Sequence, residues 1–94
     1  MTDDVTDNVA EHRYEFRVGD DVAFLTYFDR RGGARSLVHT EVPAALEGKG
    51  IGGRLVKAVL DDAEARRLRI VPLCPFVRSY LARHPEYAKL ISKD

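Results

Sequence analysis

The chain reads as one small α+β domain, a mostly antiparallel meander followed by a helical crossover. Three observations carry this. Residues 13–42 hold three apolar-rich runs separated by turn residues, Gly19-Asp20-Asp21 and Arg30-Arg31-Gly32-Gly33. From Ile51 the apolar residues recur at helical rather than strand spacing. A short β-rich run, Arg69 to Cys74, follows that helical stretch and is itself followed by a second one. The 94 residues suit a single domain. We divide them into a flexible tail at 1–11, which has four carboxylates and almost no bulky apolar side chain, and a folded domain at 12–94.

Taken in order, Arg13-Tyr14-Glu15-Phe16-Arg17-Val18 alternates polar and apolar residues, so Tyr14, Phe16 and Val18 share one strand face. Val22 to Asp29 reads as a second strand, apolar on both faces in its middle, as for a strand covered on each side. Ala34 to Val42 reads as a third, and Pro43 ends it because proline cannot continue a ladder. Ile51, Leu55, Val59 and Ala63 lie four apart, with Val56 and Leu60 in the neighbouring row, which predicts an amphipathic helix. It ends near Arg66-Arg67, where cations suit the negative end of the helix dipole. Arg69 to Cys74 is expected to return beside the third strand as a parallel crossover. Pro75 suits the first turn of a helix over 76–83, with Phe76, Val77, Tyr80 and Leu81 on its apolar side. His84-Pro85 breaks that helix, and Tyr87, Leu90 and Ile91 pack back from a last short turn. The order is β-β-β-α-β-α.

Composition excludes several classes. With 45% hydrophobic and 32% charged residues the chain is globular rather than disordered. A net charge of zero and a pI near 6.8 argue against nucleic acid as the main partner. The single cysteine, Cys74, rules out an intramolecular disulfide, and no Cys/His spacing suits a metal. No apolar run is long enough to span a membrane, and the polar N-terminus lacks a signal-peptide pattern, so the expected compartment is cytoplasmic.

The stretch Glu47-Gly48-Lys49-Gly50-Ile51-Gly52-Gly53 carries the strongest functional signal. It places four glycines in seven residues, directly at the start of the amphipathic helix. Glycine permits positive φ and close backbone approach. A helix N-terminus offers unpaired N–H groups and partial positive charge. Together they suit a phosphate or pyrophosphate, the alternative being a tight turn with no ligand. His39 and Glu41 are two apart on one strand and therefore share a face, which is either a solvated polar surface or a source of general base. Cys74 is either a small buried hydrophobe or, given a nearby base such as His39, a nucleophile.

The order of elements, with a glycine turn opening the central helix, resembles the GCN5-related N-acetyltransferase fold. The family's acyl-CoA signature is Gln/Arg-x-x-Gly-x-Gly/Ala. Glu47-Gly48-Lys49-Gly50-Ile51-Gly52 matches both glycine positions and departs at Glu47, where Gln or Arg is usual. The likeness runs from about Tyr14 to Ile91 and is closest to a very short subgroup of roughly a hundred residues. Its elements stand here as His39-Thr40-Glu41-Val42, Gly48-Lys49-Gly50-Ile51-Gly52, Pro72-Leu73-Cys74-Pro75-Phe76-Val77 and Arg83-His84-Pro85-Glu86-Tyr87. The subgroup lacks the helical segment that larger members place between the first two strands, and only Gly19-Asp20-Asp21 separates them here. An open acceptor site follows.

The resemblance implies a minimal N-acetyltransferase domain that uses acetyl-CoA and an amine acceptor, without a metal; the expected state is a monomer or weak homodimer. It implies that backbone N–H groups from Glu47 to Gly53 hold the pyrophosphate, with Lys49 and Arg54 adding charge. The strand at Thr40 to Val42 would run beside the pantetheine arm and supply oxyanion N–H groups. Tyr80, six residues after Cys74, would be the general acid for the leaving thiolate. Its other reading is a core aromatic. Cys74 would lie near the acetyl group as a candidate nucleophile, and His39 or Glu41 would be the general base. Glu47 and the missing acceptor helices motivate an alternative, an acyl-CoA-binding module with little turnover. A third reading is a docking surface that keeps only the fold.

Overall fold

A computed structural model describes residues 5–92. Its strands are β1 (Val5–Asn8), β2 (Arg13–Val18), β3 (Asp21–Arg30), β4 (Ala34–Glu41) and β5 (Arg69–Pro72), and its α-helices are α1 (Ile51–Ala65) and α2 (Pro75–Arg83). Short 3-10 turns occupy Val9–Glu11, Ala44–Leu46 and Pro85–Leu90. The five strands form one sheet in the order β1-β2-β3-β4-β5, antiparallel except for the parallel β4–β5 pair that α1 connects. The α+β architecture and the parallel crossover are as the sequence predicts.

Two expectations need correction. Residues 5–11 are not a tail: Val5–Asn8 pairs with β2 as an edge strand, and Val5 is buried in the core. Its two apolar valines, Val5 and Val9, flank polar residues, so composition hid a strand that only the β2 partner reveals. The reading of residues 1–4 as tail lies outside the described residues. The second correction concerns β3, which is packed on one face only. Ala23, Leu25 and Tyr27 are buried, whereas Phe28 on the other face is 60% exposed. Phe24 on that outer face lies under the Arg13 guanidinium and Phe28 beside the His12 ring, so cations and imidazole replace a second layer.

The buried face of the sheet carries Tyr14, Phe16, Ala23, Leu25, Tyr27 and Leu37. Leu55, Val56, Val59, Leu60 and Ala63 of α1 complete the core, with Ile70 and Val77. The helical stripe read from the sequence is therefore the packed stripe. The helices α1 and α2 touch at their N-terminal ends, where Gly52 and Gly53 meet Phe76 and Tyr80. Among the described residues no helix is long and apolar enough to cross a membrane.

Candidate active site

The site begins with the turn before α1. Gly48 and Gly50 have φ of 77° and 74°, a left-handed backbone that L side chains rarely adopt. Gly50 is the N-cap of α1, with no side-chain cap. Its carbonyl accepts the Arg54 N–H at 3.1 Å, so the N–H groups of Ile51, Gly52 and Gly53 lie ahead of the first intrahelical acceptor. A cavity of about 400 Å³ opens there, within the range of small-molecule sites.

Most of the residues expected to hold a cofactor line this cavity: Thr40, Val42, Glu47, Gly48, Gly50, Ile51, Gly52 and Gly53. Lys49 and Arg54 are not among its lining residues, and the Arg54 guanidinium lies 5.0 Å over the Phe16 ring. Leu46 and Phe76 also line it, and sequence reasoning had given them no role there. Phe76 was legible only as a helix-face aromatic; its position on the first turn of α2, after Pro75, turns it toward α1. The Phe76 ring fills the space a side chain at Gly52 would need, with a β-carbon there falling 2.6 Å from Phe76 Cζ. A side chain at Gly52 would therefore displace the Phe76 ring, whereas Gly48 and Gly50 are required by backbone conformation. Open N–H groups at one end and the apolar Val42, Leu46 and Phe76 at the walls fit a ligand with an anionic end and a less polar arm.

The far wall is set by an irregularity in β4. Thr26 pairs with His39 while Tyr27 pairs with Leu37, so Val38 is an extra residue bulged out of the ladder. The bulge reverses the alternation beyond it. Thr40 stands opposite buried Leu25 and lines the cavity, whereas His39 and Glu41 stand opposite Thr26 and Phe24 on the outer face. The β4–β5 ladder ends at Leu37 and Pro72, and the Leu37 carbonyl accepts the N–H groups of both Leu73 and Cys74 at 3.0 Å. Beyond that point β4 pairs only with β3, and its other edge parts from β5.

The structure divides the candidate catalytic residues among three places. Cys74 is the N-cap of α2 rather than a strand residue, 3% exposed, with its Sγ 3.4 Å from Thr40 Oγ1. His39 does not reach it. The bulge sends His39 to the opposite face, where its Nε2 meets Glu41 Oε1 at 3.3 Å with both side chains more than half exposed. Tyr80 is buried on α2, stacked on His84 with ring centroids 4.1 Å apart. Its ring edge abuts Gly53, where a β-carbon would lie 3.9 Å away. Burial pushes the Tyr80 phenol up, and nearby Lys57 opposes the shift.

A family model described as GCN5-related N-acetyl-transferase matches residues 13–90. Among characterised sequences, the chain is similar to Protein NATD1 of mouse (Mus musculus) and of human (Homo sapiens), 39% identical over 49 residues in each case. That stretch is 52% of this chain and 44% and 43% of theirs, so the match spans less than half the length of these relatives. Among solved structures, the chain is similar to the solution structure of a GCN5-like protein from Staphylococcus aureus, with a TM-score of 0.73 and 24% identity. That likeness covers 98% of this chain and 91% of the other and speaks for the fold.

Proposed function

The chain belongs to the GCN5-related N-acetyltransferase family, and from that premise we propose that it moves an acetyl group from acetyl-CoA to an amine. The observation that carries the reading is a single cavity joining the open N–H groups of the glycine turn to the strand edge at Thr40, beside Cys74. Acetyl-CoA supplies a thioester acyl group; the chain's residues do the rest. The N–H groups of Ile51, Gly52 and Gly53 bind the anionic end. Val42, Leu46 and Phe76 exclude water from the arm. The β4 edge beyond Leu37, without a ladder partner on the β5 side, offers backbone donors where an oxyanion develops. Tyr80 is assigned the proton for the leaving thiolate. The exposed His39–Glu41 pair is assigned the proton of the incoming amine, which arrives on the outer face of the sheet.

Calorimetry with CoA, followed by acetyl-CoA and a panel of amines, peptides and polyamines with free thiol as readout, tests this. Saturable CoA binding and amine-dependent thiol release are expected. No binding at millimolar CoA would overturn the cofactor reading. Binding with only background thiol release across the panel would replace the transferase with an acyl-CoA-binding module.

A further inference from the structure

The cavity assigned to the anionic end of the donor carries the wrong sign of charge. Among its lining residues Glu47 alone has a charged side chain, and that charge is negative. The others are glycines, Thr40 and apolar residues. Lys49 and Arg54 flank the turn in sequence but do not line the cavity, and the Arg54 guanidinium lies over the Phe16 ring. The Glu47 N–H is spent on the Ala44 carbonyl at 3.2 Å, so this residue adds no backbone donor to the site. Glu47 is exposed, and among the described residues none pairs with its carboxylate. It therefore brings a full negative charge to an anion site and nothing that holds the anion. Resting on the acetyl-CoA reading above, we infer that Glu47 is a specificity-determining residue that keeps the affinity for CoA low by repelling its phosphates.

The N–H groups of Ile51, Gly52 and Gly53 and the helix dipole attract an anion with partial charges. A carboxylate beside them opposes with a whole one. Coulomb energy falls only as the inverse of distance, so the carboxylate acts on the phosphates without touching them. An unpaired charge of this kind is a common means of rejecting a ligand class. The penalty grows with the negative charge brought to the turn and is absent for an uncharged ligand. A ligand that binds well must offset it with an arm packed on Val42, Leu46 and Phe76. Donor and CoA product carry the same phosphates, so the penalty weakens both alike. It raises the KM for the donor and favours product release, and it leaves the bond-making step untouched.

The test is calorimetry of wild type, Glu47→Gln and Glu47→Asp with two ligands, CoA and pantetheine, the second having the arm without the phosphates. At low salt Glu47→Gln is expected to bind CoA about fivefold more tightly than wild type, the scale of one charge repulsion in a partly solvated site. Glu47→Asp keeps the charge and should stay within about twofold of wild type. Pantetheine should gain nothing from Glu47→Gln. At about 1 M salt, where the screening length shrinks to about 3 Å, the gap between Glu47→Gln and wild type should close. Glu47→Gln binding CoA no more tightly than wild type at low salt would overturn the inference and leave the cofactor reading standing. A gain that survives high salt, or that pantetheine shares in full, would overturn it as well, because charge would not be the cause. No CoA binding by either protein at millimolar ligand would overturn the cofactor reading and this inference with it.

Discussion

The two ends of α1 are built from different materials. The N-terminal end is made of backbone: a left-handed Gly50 cap, three N–H groups without an intrahelical acceptor, and a cavity. The C-terminal end is made of side chains. Arg35 grips Asp29 through Nε and Nη2 and donates through Nη1 to the Tyr14 hydroxyl at 2.7 Å. Tyr14 in turn donates to Asp62 of α1 at 2.7 Å. Tyr27 donates to Asp7 at 2.6 Å, and the Arg35 guanidinium lies 4.0 Å over the Tyr27 ring. Asp7 Oδ2 makes no hydrogen bond but faces the guanidiniums of Arg35 and Arg66 at 3.7 and 3.8 Å. One end keeps its polar groups open and the other consumes them internally, fastening β1, β2, β3 and β4 to α1. The division allows a small domain to hold open one helix terminus while the opposite end supplies rigidity.

The largest expected effect comes from breaking the closed end. Arg35→Met leaves the buried Asp7 carboxylate and the Tyr14 hydroxyl without their shared cation. Removing one partner of such a cluster costs about 3–5 kcal/mol, a large share of a domain's stability. Urea denaturation reads the loss. Where Arg35→Met leaves folded protein, its CoA affinity per folded molecule should match wild type; a parallel loss of affinity would show that the two ends are not separable.

A smaller cut sharpens the same point. Tyr27→Phe removes the hydrogen bond to Asp7, at a cost of about 1.5–3 kcal/mol for a bond to a charged group. Burial, then the bond to Asp7, push the Tyr27 phenol up to about 12. The unfolded chain ionises near the ordinary value of about 10. The stability this phenol contributes is thus full below about 10 and is lost as pH rises toward about 12. Tyr27→Phe should shallow that alkaline limb; Tyr14 and Tyr87, also shifted up, keep some of it. The acid limb behaves in the opposite sense. The Arg35 hydrogen bond holds the Asp29 carboxyl below the usual carboxylate range, so its contribution is present above that range and lost as pH falls through the folded value. Tyr27→Phe should leave the acid limb in place. An alkaline limb of wild-type steepness in the variant would refute the assignment.

This contrast also explains what could be read from the sequence. The open end is local: glycines, helix spacing and Pro43 stand within about one helix length of each other, so the turn, α1 and most of the cavity lining followed from adjacent residues. The closed end joins positions 7, 14, 27, 29, 35 and 62, which no period relates, and nothing in the sequence marks them as one cluster. The edge strand β1 was missed for the same reason, since its evidence lies in β2 and in Arg35. The Val38 bulge was invisible too. Strand alternation placed His39 and Glu41 correctly on one face, but an inserted residue decides which face that is. Alternation alone therefore offers His39 as the neighbour of Cys74, and Thr40 meets it in the fold.

At the open end the order of effects should reverse, with binding suffering more than stability. Gly50→Ala meets no atom within 4 Å, so its cost is the left-handed backbone alone, about 1–2 kcal/mol. A cap that relaxes from φ 74° re-aims the three N–H groups, and CoA affinity should fall by about tenfold or more. Calorimetry alongside denaturation checks both numbers. A stability loss with unchanged affinity would break the assignment of this end as the anion site.

The smallest effect belongs to Gly52, and it separates packing from ligand approach. Gly52 lacks positive φ and sits inside α1, where alanine is by propensity the better residue, by about 1 kcal/mol. Against that gain, its β-carbon would lie 2.6 Å from the tip of the Phe76 ring, which must swing aside. Phe76 is 41% exposed, so the ring has somewhere to go, and the net stability change of Gly52→Ala should stay within about 1 kcal/mol of zero. The displaced ring no longer walls the cavity, and CoA affinity should fall modestly. Phe76→Ala removes the obstacle, so the double variant should be more stable than Phe76→Ala alone. In a double-mutant cycle the two substitutions should couple, because they are in contact. Additive affinities would mean that Gly52 meets the ligand directly and that the ring only borders it.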